Sequence, residues 1–268
     1  MRKSFLCCGL IVISFLVVQG CISGGSYHSQ GFEGTEYEDL CDAVLAEDTV
    51  LIEELLEESK LDVNYKNPEY GETLLHLAVI SNKMISVKKL IALGADVGVV
   101  DKEGMSPMVE AVSSWYHEEC HPEMLELLIE EGADVNEVYH YNGSGPHWES
   151  TPLEQSINGF SCIEHTKTLV ENGAIIVHDS VYDYGAITKS IIQDRMDITK
   201  YLIIDCKAQI PKYCLVREAV NVGDVNDSLT VLECLMEEDY SENLSTDAAQ
   251  KAKLHKEIVG YLRSHGYK

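Results

Sequence analysis

The sequence predicts an all-α chain built from helix–turn–helix units laid side by side. Three observations carry that prediction. The tetrapeptide Gly94-Ala95-Asp96-Val97 returns as Gly132-Ala133-Asp134-Val135 and as Gly173-Ala174-Ile175-Ile176, with weaker forms at Leu61-Asp62-Val63-Asn64 and Lys207-Ala208-Gln209-Ile210. With Val63, Val97, Val135, Ile176 and Ile210 taken as equivalent, the spacings are 34, 38, 41 and 34 residues. Between these stops the apolar residues keep helical spacing, as Leu74, Leu77, Ala78, Val87, Leu90 and Ile91 do on one stripe. Helix starts also recur at matching offsets, at Thr73-Leu74, Ser106-Pro107-Met108 and Thr151-Pro152-Leu153. A pair of short helices cannot bury its own stripe, so copies must stack.

Each motif has a physical reason. The Thr73 hydroxyl can accept from the unpaired N–H groups of a first helical turn. Proline at the first helical position, where Pro107 and Pro152 stand, forfeits no hydrogen bond. Gly94 ends a helix in the left-handed region, which glycine enters without a Cβ clash. A period near 33 residues with a helix start of the type Thr-x-Leu-His-x-Ala, seen here in Thr73 to Ala78, resembles the ankyrin-repeat family. The resemblance runs from about residue 38 to 265. It implies an ankyrin-repeat solenoid of five clear repeats (about 38–64, 71–98, 104–136, 151–177 and 185–210), a sixth at 213–238 and a closing cap helix at 247–265. It also implies that His76 bridges backbone groups of neighbouring turns. Val109, Glu154, Thr188 and Arg217 fill that place elsewhere, so most of the hairpins are expected to lack the bridge.

From the start of the chain, Arg2 and Lys3 precede an apolar run from Phe5 to Val18, too short to span a bilayer comfortably and suited to the core of a secretory signal. The run ends in Val18-Gln19-Gly20-Cys21, which resembles a bacterial lipobox with Cys21 as the lipidated residue; Gln19 departs from the small or apolar residue usual there. An ordinary secretory signal and an uncleaved anchor are the alternatives. Residues 21–37, rich in Gly, Ser, Tyr and Glu, are expected to be a flexible tether. Localisation is therefore expected at the cell envelope on the periplasmic face, with Ile22 pointing to the outer membrane where the common sorting rule applies.

The first hairpin has Leu40, Ala43, Val44, Val50, Leu51, Leu55 and Leu56 inward, and Glu53, Glu54, Glu57 and Glu58 outward, as a terminal repeat requires. The third carries an insertion around Trp115 to Pro122, followed by a long connection from Glu137 to Ser150. Beyond Pro211 the register is open. Cys214 to Val222 and Ser228 to Glu237 read as a sixth pair, and residues 247–264 as a closing helix.

Six cysteines remain after the signal and Cys21: Cys41, Cys120, Cys162, Cys206, Cys214 and Cys234. An exported chain can pair them, but several occupy apolar helix positions where cysteine is a small core residue. Cys206 and Cys214, close in sequence, are the best disulfide candidate. His117, Cys120 and His121 have zinc-like spacing, yet they lie in the insertion without an evident fourth ligand, and a solvated loop is the expected reading. No Gly-rich phosphate loop, nucleophile elbow or paired-carboxylate motif appears, so no catalysis, metal or cofactor is expected.

The chain carries 45 acidic and 20 basic residues, a net charge of −25. Such a field repels nucleic acid and anionic lipid and favours basic partners; solubility alone is the bland alternative. The family resemblance implies binding through the inner helices and finger-like turns. Those turns hold Tyr65 and Tyr70, then Tyr139, Tyr141 and Trp148, then Tyr182 and Tyr184, with Asp101, Asp179 and Asp183 around them. Aromatic rings dominate binding hot spots, though they could equally pack finger on finger. The expected function is a monomeric, lipid-anchored, non-enzymatic binder of a basic protein surface, for instance an immunity protein occluding a toxin. An envelope scaffold or stress-protection protein without one tight ligand is the alternative.

Overall fold

A computed structural model describes residues 29–113, 120–140, 149–158, 162–176, 185–210, 235 and 246–267. They fall into two compact units, one within 1–134 and 138–149, the other within 135–137 and 150–268.

In the first unit the helices come in pairs: α1 (Glu38–Leu45) with α2 (Thr49–Ser59), α3 (Leu74–Ile80) with α4 (Met84–Ala92), and α5 (Pro107–Val112) with α6 (Pro122–Glu130). The first members form a continuous inner row, since α3 packs on both α1 and α5, while α2 packs on α4 outside it. Every residue of α3 is buried, because neighbours cover it on both sides. Leu40, Val44, Ile52, Leu77, Leu90 and Leu125 are all fully enclosed and join the pairs into one core, whereas Val50 and Leu51, expected inward, are 64% and 38% exposed because Ile52 and Leu56 form the buried stripe of α2. Side-chain caps open α3 and α5: the Thr73 hydroxyl accepts from the His76 N–H and the Ser106 hydroxyl from the Val109 N–H. Gly94 and Gly132 close α4 and α6 at φ +95° and +97°.

The segment before α1 differs from the tether expected of it. Phe32 is fully buried and Tyr37 is 4% exposed. Both rings meet Tyr65, so residues 30–37 belong to the folded unit. Residues 1–28, with the expected signal and Cys21, lie outside the described residues.

In the second unit, α7 (Pro152–Gln155) packs on α8 (Ile163–Glu171) and on α9 (Gly185–Ile192), and α9 on α10 (Met196–Lys200). The chain continues from α10 as a π turn, Tyr201–Asp205. Helix α11 (Thr246–Ser264) lies on α10, with Ile258 and Leu262 buried and the ion pairs Lys251–Asp194 and Lys200–Glu257 at its flank. Two-residue strands, β1 (Tyr139–His140) and β2 (Glu149–Ser150), pair with each other. No helix among the described residues is long and apolar enough to cross a membrane.

Candidate functional site

The turns that link one helical pair to the next are held by a recurring side-chain bridge. Asn64 Nδ2 donates to the Gly94 carbonyl at 3.1 Å, and its Oδ1 accepts from the Asp96 N–H at 2.8 Å. In the second unit Asn136 does the same to Gly173 and Ile175, again at 3.1 and 2.8 Å. Gly98 fills the equivalent position between them in sequence and has no side chain with which to bridge.

The first two fingers also bond directly. The Lys102 N–H donates to the Tyr70 carbonyl at 2.9 Å, and Lys66 Nζ donates to the Val100 carbonyl at 2.7 Å. Gly71, at φ +75°, permits this approach; a Cβ there would stand 2.9 Å from Lys102 Cγ. Below the fingers, His76 Nδ1 accepts from the Thr73 N–H at 3.2 Å, which puts the ring proton on Nε2, 3.1 Å from the Met105 carbonyl. The imidazole is fully buried and ties its own helix start to the next finger.

The aromatic residues singled out from the sequence divide between packing and surface. Tyr65 stacks on Tyr37, with centroids 3.9 Å apart and planes within 6°, and Phe32 lies tilted at 6.5 Å. Its ring therefore serves the fold at the open end of the first repeat. Tyr70 and Tyr139 are half-exposed in their fingers. Tyr141, Trp148, Tyr182 and Tyr184 lie outside the described residues, as do Asp179 and Asp183. The sequence did not single out Val100 and Val138, which hold the same place in successive fingers and are 40% and 50% exposed. Glu69 and Glu103 are exposed beside the first two fingers.

The candidate disulfide between Cys206 and Cys214 is corrected at its first member: Cys206 is a free thiol. It follows the π turn, where the nearby Tyr201 hydroxyl hydrogen-bonds with it, and burial raises its pKa. Cys214 lies outside the described residues. Cys120 and Cys162 are instead each disulfide-bonded. A sulfur so committed does not serve a metal, and His121 Nε2 is engaged by the Asn82 amide at 2.7 Å. Of the zinc-like trio, His117 lies outside the described residues.

A second constellation joins Asp101, expected from the sequence to face a partner, to two glutamates that the sequence did not single out. Glu72, just before the Thr73 cap, Asp101 in the second finger and Glu110 on α5 each bring a carboxylate oxygen within 4.8 Å of the others. Glu72 is 2% exposed and Glu110 not at all. Asp101 Oδ1 accepts from the Glu103 and Met105 N–H groups, each at 2.8 Å. Among the described residues neither oxygen of Glu110 has a hydrogen-bond partner. Two like charges 4 Å apart repel by about 4 kcal/mol at an effective dielectric near 20. Burial, reinforced by Asp101, Glu72 and Glu103, raises the Glu110 carboxyl well above the usual range. Burial likewise lifts Asp101 to about 6, against the lowering effect of its Met105 hydrogen bond. Asn67 Nδ2 donates to Glu72 Oε2 at 3.4 Å, and the Lys102 ammonium bonds the Pro68 and Glu69 carbonyls. The signal in the sequence was a single glutamate inside Pro107-Met108-Val109-Glu110-Ala111-Val112, on a stripe that should be apolar.

Comparison with known proteins agrees with this architecture. Residues 40–139 match the family described as ankyrin repeats (3 copies). Over 115 residues the chain is 34% identical to the B-cell lymphoma 3 protein homolog of Mus musculus, an alignment covering 42% of this chain and 22% of that protein. The chain thus spans about a fifth of the curated relative it matches. Its all-α fold is that of ankyrin repeats, which generally mediate protein–protein interaction.

Proposed function

We propose that this ankyrin-repeat chain is a non-enzymatic binding module that grips the basic surface of a partner protein through its fingers, and that it does so while anchored at the cell envelope by an acylated Cys21. The observation that carries the binding reading is the pair Val100 and Val138, exposed at one register of successive fingers on a chain of net charge −25. Exposed apolar side chains on a chain of this net charge suit a partner that offers a small hydrophobic patch within a positive field. An immunity protein that covers a toxin's active site would have this character. The envelope location rests on the Arg2-Lys3 start, the apolar run to Val18 and Cys21, and is supported by the disulfide-bonded Cys120 and Cys162, a state that persists in oxidising compartments.

Affinity capture from envelope extracts, with wild type and a Val100→Asp, Val138→Asp double variant side by side, tests the binding reading. One basic protein should be retained near stoichiometrically by the wild type, released by salt and lost in the variant at unchanged Tm. Broad, weak retention of many envelope proteins by both would instead favour a scaffold. Metabolic labelling with palmitate, present in wild type and abolished by Cys21→Ser, tests the anchor separately.

A further inference from the structure

We propose that Glu72, Asp101 and Glu110 form a binding site for one hard divalent cation, with calcium the best match. This does not rest on the partner-binding reading, although Asp101 follows Val100 in the second finger.

The geometry fits such an ion. Calcium holds oxygen ligands at about 2.3–2.6 Å, so oxygens on one ion stand no farther apart than about twice that distance. The three carboxylate oxygens here are mutually within 4.8 Å. Glu110 supplies the independent sign that something is to be bound: it is fully buried, points into the cluster, and neither of its oxygens meets a donor among the described residues. A buried carboxylate is ordinarily paired, hydrogen-bonded or on a metal, and the cluster's other members carry its own sign of charge.

The donor set selects the class of ion. Only carboxylates face one another here; the nearby His76 has its Nδ1 on Thr73 and its Nε2 on Met105. Oxygen-only ligation suits calcium, magnesium or manganese over the softer metals. Asp101 is half-buried, so an ion can reach the cluster from the finger side without unfolding the unit. Once bound, it would join residues of the second repeat to α5 of the third, at the joint where Gly98 leaves the side-chain bridge unmade.

The test is calorimetric titration of purified, EDTA-dialysed protein with calcium chloride and with magnesium chloride, alongside thermal unfolding with and without each ion. One saturable site per chain and a raised Tm are expected. Both should weaken by about tenfold or more in affinity in Glu110→Gln. Without added ion, that variant should be at least as stable as wild type, because the amide avoids the cost of burying or neutralising a carboxylate. Should Glu110→Gln fold poorly, Glu72→Gln carries the same comparison. The acidic surface will bind calcium weakly at many points, so only a unit-stoichiometry site sensitive to these variants counts as support. Absence of such a site for both ions, or a site undiminished in the variants, overturns the proposal.

Discussion

The ring of Tyr65 lies flat on the ring of Tyr37, 3.9 Å away, and so closes the open end of the first helical pair. Aromatic pairs couple by about 0.5–1.5 kcal/mol beyond the area they bury. Tyr65→Ala should therefore lower stability by about 1–3 kcal/mol, and a double-mutant cycle with Tyr37→Ala, followed by urea unfolding, should show coupling of that size. Additive losses would mean that the two rings stabilise the unit separately.

The bridge that Asn64 makes to Gly94 and Asp96 is absent where Gly98 stands. The backbone there is not left-handed, and an added Cβ would meet nothing nearer than Asp96 Oδ1 at 3.4 Å. Gly98→Asn should place its amide toward Gly132 and Asp134 and raise stability by about 0.5–1 kcal/mol, through new hydrogen bonds and a less flexible unfolded chain. Denaturant midpoints of the two proteins decide it; a lower midpoint for the variant would show that the joint cannot accept the bridge.

The helix stops make a paired prediction. Gly132 sits at φ +97°, whereas Lys60 holds the equivalent turn of the first repeat at φ +53°. Gly132→Val should cost about 1–3 kcal/mol, since a β-branched residue is strained there. Lys60→Gly should gain up to about 1 kcal/mol by removing the Cβ from a left-handed position. Thermal unfolding of both variants should move Tm in opposite directions.

Cys41 faces the core of α1 and is 3% exposed. Burial first, then the negative charges of Asp42, Glu38 and Glu33, push its thiol up to about 12. The thiolate is the reactive form, so at pH 8 alkylation should spare Cys41 in the folded protein and modify it fully in denaturant. Peptide mapping by mass spectrometry reads this directly, and rapid native labelling would place the side chain outside the core.

What the sequence made legible was whatever a backbone rule imposes at fixed intervals. The stops at Gly94, Gly132 and Gly173 need positive φ, and the starts at Thr73, Ser106 and Thr151 need a cap oxygen; such needs restrict residue choice and leave a period. The ring of Phe32 and the stack of Tyr37 on Tyr65 left none, because a single end cap is made once and from residues that also suit a loose linker. Disulfide partners were illegible for a different reason: pairing depends on which turns meet in space, and Cys206 and Cys214 were matched only by proximity in sequence. Glu110 was visible as an oddity in an apolar stripe, but its neighbours Glu72 and Asp101 reach it from other segments of chain. The surface valines went unremarked because isolated exposed apolar residues are ordinary until a register makes them a pair.

The burial of Phe32 sets a mechanical limit on an anchored molecule. If Cys21 is acylated, residues 22–31 alone separate the lipid from the first enclosed ring, and ten residues at full stretch reach no more than about 35 Å. The repeats would then patrol a thin shell over the membrane, and a target would have to arrive at the bilayer surface to be caught.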